Sequence, residues 1–175
     1  RTPRMMKYLT ALLSFACSTV MAHPGFDEKV EVAGKIFKAD MLVTHGCGDS
    51  PTIKLVIDIP EDVLAVTPRI KSGWNIETVE SELKEHRMVF AVETTKYTSQ
   101  IIWSGGSLPS DYFDEFSFNV LPPNEETTLY FPTTLYCDEG VDAYTDIPDP
   151  AAKDAHDRHL APSVKLVKDT VDGGR

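Results

Sequence analysis

In the stretch FKADMLV, residues 37–43, Phe37, Ala39, Met41 and Val43 alternate with polar or smaller apolar residues. The same period returns in IKLVIDI, where Ile53, Leu55, Ile57 and Ile59 share one face and Lys54 and Asp58 the other. HRMVFAVE repeats it at Met88, Phe90 and Val92, and EFSFNV at Phe116, Phe118 and Val120. Successive side chains of an extended backbone point to opposite faces, so this alternation marks half-buried strands. Helical periodicity is nearly absent. TTLYFPTTLY reads as a further strand, with Pro132 placing it at an edge or bulge, because proline donates no ladder hydrogen bond.

Turn chemistry recurs between these segments, in GCGDSP, IPED, SGW, SGGSLP, LPPNEE and CDEG. Seven or more short strands with regular turns predict an all-β chain, an antiparallel two-sheet sandwich, over residues 23–148. From Pro148 the composition turns polar and proline-punctuated. Residues 149–175 read as an extension with at most one strand, SVKLV, and then a mobile tail.

Residues 1–22 carry a secretory signal peptide pattern. Arg1, Arg4 and Lys7 are basic, Leu9 to Val20 is apolar, and Val20-Met21-Ala22 suits cleavage after Ala22. RTPR reads as upstream frame, with translation starting at Met5 or Met6. Ser14 stands where a lipoprotein leader needs an aliphatic residue, so Cys17 is expected to leave with the leader. The mature chain, 23–175, is long enough for a real core. Losing three basic residues and no acid moves the net charge from −10 to −13. Such a chain repels phosphate backbones, which argues against nucleic-acid partners. Two cysteines then remain, Cys47 and Cys137. An even pair in an exported chain predicts a disulfide. A thiolate metal site beside HGC is the competing reading.

The ordered landmarks are Ala22-His23, HGCGDSPTIKLVIDIPEDV, KSGW, IIWSGG, FDEFSF and TLYFPTTLYCDEG. Together they resemble YcnI-like proteins, bacterial exported copper-binding domains, over about His23 to Pro148. The resemblance implies an immunoglobulin- or fibronectin-like sandwich. It also implies copper(II) bound by the amine and imidazole of a mature N-terminal histidine, with an acidic residue completing the site and a tryptophan nearby. Cys47 and Cys137 look like the disulfide of the HGC branch. The glutamate does not carry over, because Thr44, His45, Gly46 and Cys47 offer no carboxylate before Asp49.

Cleavage after Ala22 would make His23 the first residue. Its amine and Nδ1 then close a six-membered chelate. Copper(II) often displaces the next amide proton too, but Pro24 has none. The chelate therefore stops at two nitrogens, leaving equatorial positions open in a tetragonal copper(II) site. His45, in a glycine-flanked turn at a strand end, is the first candidate to fill one. Asp27, Glu28 and Asp49 are weaker oxygen candidates, and His86 reads as a surface residue. His156 and His159 form an H-x-x-H pair suited to an accessory metal site. Of the tryptophans, Trp103 is the better neighbour for the metal, since the resemblance puts an aromatic there, and Trp74 anchors a turn. Asp114 and Glu115 point to opposite faces of a strand and read as structural or surface residues.

No G-x-S-x-G elbow, phosphate loop, H-E-x-x-H or C-x-x-C is present. The leading expectation is a non-enzymatic copper(II) protein of the cell envelope, periplasmic or secreted. It would sequester copper or deliver it to another envelope protein, without a membrane anchor after cleavage. The alternatives are a copper-dependent oxidative enzyme, with His45 as second histidine, and a metal-free envelope interaction domain.

Overall fold

The computed structural model describes residues 23–44, 46–149 and 159–169. The leader, His45, His156 and the segments 150–158 and 170–175 lie outside the described residues. Within them the chain forms twelve strands and no helix: β1 (Gly25–Phe26), β2 (Val30–Val32), β3 (Phe37–Val43), β4 (Thr52–Asp58), β5 (Leu64–Pro68), β6 (Asn75–Val89), β7 (Val92–Leu108), β8 (Asp114–Leu121), β9 (Thr128–Tyr130), β10 (Thr133–Cys137), β11 (Val141–Tyr144) and β12 (Ser163–Val167).

The expected sandwich is present. One sheet runs β1-β3-β8-β5 and the other β11-β10-β4-β7-β6, with all pairings antiparallel. A smaller sheet, β2-β12-β9, closes one side. The alternating residues of β3, β4 and β8 form the core: Met41, Val43, Leu55, Ile57, Phe116, Phe118 and Val120 are all within 1% of full burial. Trp103 of β7 bridges the two layers, its ring 5.5 Å from Phe116 and 6.4 Å from Phe118. Each large apolar side chain buried this completely contributes roughly 1.5–3 kcal/mol.

Three segments depart from the sequence reading. HRMVFAVE is not one half-buried strand but the tip of the long β6–β7 hairpin, turning at Phe90-Ala91. Its alternating apolar residues Met88, Phe90 and Val92 are 68%, 67% and 64% exposed. Both turn residues adopt positive φ, 49° and 64°, the conformation of a two-residue hairpin that glycine and asparagine prefer. TTLYFPTTLY is two strands: β9 belongs to the small sheet and β10 to the five-stranded one, and Pro132 lies where the chain changes sheet. SGGSL lies inside β7, with Pro109 just after it, and Gly105 at φ 78° accompanies an irregularity in the β4–β7 register. A side chain at Gly106 would collide with the indole of Trp74, which packs 5.0 Å from Phe116.

The core does not stop at Pro148. SVKLV forms β12, antiparallel to β9 and parallel to β2, and buries Val164 and Leu166 in the common core. Cys47 and Cys137 are joined by a disulfide, with Cα atoms 6.0 Å apart, tying the turn before β4 to the end of β10.

Candidate metal centre at His23

His23 is exposed and stands two residues before β1. Phe26 buries its ring against Phe118 and Phe131, with centroids 6.3 and 5.0 Å away, and so pins this end of the chain to the core. The β1–β3 register pairs Gly25 with Leu42 and Phe26 with Met41. The pairing ends at Gly25–Leu42, two residues from His23 on one strand and two from Thr44, the residue before His45, on the other. His45 itself lies outside the described residues.

Two further elements converge on His23. Tyr144, the last residue of β11, is 5% exposed and meets the His23 ring edge-on at 5.4 Å. The same phenol ring lies 6.2 Å from His159. Burial, and secondarily the charge of Asp142, pushes the Tyr144 hydroxyl above its ordinary range. Residues just after His159 complete the surroundings. Leu160, Ala161, Pro162 and Ser163 line a shallow cavity of about 210 Å³, together with His23, Phe26 and Lys29. Lys29 brings the only charged side chain among these lining residues, and it opposes a cation there.

The other candidates lie elsewhere or make other contacts. Asp27 and Glu28 are exposed, and Asp27 donates its backbone N–H to the Asp40 carbonyl at 3.1 Å. Asp49 sits by the disulfide, in a hollow shared with Cys47, Asp138 and Glu139. His86 pairs with Glu93 at 3.1 Å near the hairpin tip. Asp114 forms an ion pair with Lys71 at 2.7 Å, and the Glu115 carbonyl accepts from the same ammonium at 2.8 Å. Trp103 is fully buried and does not line the His23 cavity; ring contacts link it to that cavity through Phe118 and Phe26. Its indole nitrogen has no hydrogen-bond partner among the described residues. Sequence reasoning passed over Tyr144, whose VDAY context carries no metal or catalytic spacing, and grouped His159 with His156 rather than with His23.

Two facing antiparallel sheets, built of alternating strands and locked by one disulfide, define an immunoglobulin-like β-sandwich. A solved structure of an uncharacterized protein from Nocardia farcinica with an immunoglobulin-like fold superposes with a TM-score of 0.61 at 21% identity, over 83% of this chain and 99% of that one. The chain belongs to the DUF1775 family, a domain of unknown function, whose model matches residues 23–166. A family 123 glycoside hydrolase from Clostridium perfringens overlaps 79% of this chain and 22% of its own length, at 10% identity and a TM-score of 0.31, too low to carry an argument. No curated protein matches the chain.

Proposed function

We propose that this is a YcnI-like, exported copper(II)-binding protein that handles copper in the cell envelope, by sequestration or by delivery to another envelope protein, and that it is not an enzyme. One coincidence carries the reading. The residue that the leader pattern makes the mature N-terminus is also the first residue of the family match and an exposed imidazole at the lip of a cavity. The donor chemistry fits. A free amine and Nδ1 on His23 chelate one metal, and Pro24 withholds the next backbone nitrogen. His45, an imidazole suited to copper(II), follows β3, the strand paired with β1, in sequence. The disulfide agrees with an oxidising compartment outside the cytoplasm, periplasmic or secreted.

The test compares protein beginning at His23 with the same protein carrying one extra alanine before it. Copper(II) titration followed by electron paramagnetic resonance should show one tight site in the first and its loss in the second. Equal binding by the two forms would remove His23 from the site, and absence of binding by both would remove copper.

A further inference from the structure

The two sulfurs of the disulfide sit in unequal surroundings. Cys137 is 7% exposed, and Gly46 lies so close over it that an added Cβ would stand 3.1 Å from its Sγ. Cys47 is half-buried and lines a cavity of about 400 Å³ with Asp49, Ser50, Pro51, Asp138 and Glu139. We infer that this bridge is a directional thiol-exchange site: a small thiolate carrying no further negative charge enters the cavity, bonds to Cys47 and releases Cys137. Copper plays no part in it.

Access decides which sulfur is attacked. The cavity is lined by Cys47 and not by Cys137. Gly140, at φ 98°, keeps one flank of Cys47 bare, where a Cβ would sit 4.0 Å from the Cys47 Sγ. The donors around each sulfur decide which one leaves. The Cys47 N–H donates to the Cys137 Sγ at 2.9 Å, and the Thr52 hydroxyl lies 3.8 Å from the same sulfur. A bridged sulfur has no proton, so the hydroxyl is the donor. Both contacts strengthen when the Cys137 Sγ becomes anionic, and they offset the burial that opposes a thiolate there. The Cys47 Sγ instead lies 3.9 Å from the Leu135 carbonyl, an acceptor that disfavours an anion. In the exchange one S–S bond forms between the incoming thiolate and Cys47. The Cys47–Cys137 bond breaks, and its electron pair leaves on the Cys137 Sγ.

Charge decides which thiol enters. Asp49, Asp138 and Glu139 line the cavity with no cationic side chain among them, so a second negative charge on the thiol is repelled. Hydrogen bonds other than the bridge hold the walls together. The Ser50 N–H donates to the Cys47 carbonyl at 3.2 Å, the Asp138 N–H to the Pro51 carbonyl at 3.1 Å and the Glu139 N–H to the Ser50 hydroxyl at 2.8 Å. Opening the bridge therefore leaves the site formed.

The experiment uses protein beginning at His23, whose cysteines are Cys47 and Cys137 alone. Native protein is mixed with cysteamine or with 2-mercaptoethanesulfonate at equal thiolate concentration, quenched in acid, alkylated with N-ethylmaleimide and mapped by mass spectrometry. The added thiol should appear on Cys47 and the alkyl group on Cys137. Cysteamine should react about tenfold faster than the sulfonate at low salt. Added salt, or Asp138→Asn with Glu139→Gln, should shrink that ratio. Thiol found on Cys137, thiol shared equally by the two cysteines, or a cysteamine-to-sulfonate ratio near one overturns the inference. Exchange no faster than global unfolding, read from the urea dependence of its rate, overturns it as well.

Discussion

His23 meets Tyr144 edge to face, with ring centroids 5.4 Å apart and planes at 76°. The phenol is buried at the end of β11 and the imidazole is exposed, so the contact joins the start of the domain to its core. Tyr144→Phe keeps that ring and should leave stability within about 1 kcal/mol. Tyr144→Ala empties the space under both histidines and should cost roughly 3–5 kcal/mol, by analogy with other aromatic truncations in cores. Urea unfolding of the two variants separates the outcomes.

The Cys47–Cys137 bridge closes a loop of 90 residues, which contains β4 through β10. Constraining an unfolded loop of that size is worth roughly 4.5 kcal/mol in the chain-entropy model. The double variant Cys47→Ala/Cys137→Ala should therefore unfold at lower denaturant, and reduction of the unsubstituted protein should reproduce the shift. Denaturant curves with and without reductant check this.

Phe90 and Ala91 both hold positive φ at the hairpin tip. Left-handed backbone costs an L-residue roughly 1–2 kcal/mol relative to glycine, and bulky residues suffer most. Replacing the pair by Asn-Gly should recover about that much locally. Hydrogen exchange at the tip of the β6–β7 hairpin should slow, while the core strands are unaffected.

Asp40, on β3, contributes to the acid dependence of stability. Burial alone would raise its carboxyl, but Lys38, the Ser117 hydroxyl and Arg69 outweigh burial and hold it below the usual carboxylate range. Its ion pair with Lys38 is 2.8 Å long. The unfolded chain therefore binds this proton more readily than the native one. The contribution is present above the unfolded carboxylate pKa, about 4, and is lost as pH falls through the lower folded value. Asp40→Asn should flatten the decline of thermal stability on the acid side.

The sandwich was legible because its central strands bury one face only. Phe37, Ala39, Met41 and Val43 alternate in sequence and are all buried in the structure. The hairpin tip misled for the converse reason: Met88, Phe90 and Val92 have the same period but are mostly exposed, so alternation persists without burial. Pro132 hid a change of sheet, which depends on where β9 finds its partners and not on any local preference. At the candidate site, His23 was readable from the leader junction. The grouping of His23, Tyr144 and His159 was not, because their contacts join residues more than a hundred positions apart at the extremes. No spacing rule operates over that distance.

The strand β12 sits between β2 and β9, so one of its edges pairs with residues that precede it by more than 130 positions. Contacts of such high sequence separation make folding slow, since loop closure precedes any gain. A chain emerging N-terminus first holds β2 without its neighbour until Ser163–Val167 has appeared. The last strand therefore acts as a latch on the whole domain. A chain truncated before Ser163 would leave the inner flanks of β2 and β9 unpaired and uncover the pocket that Val164 and Leu166 fill.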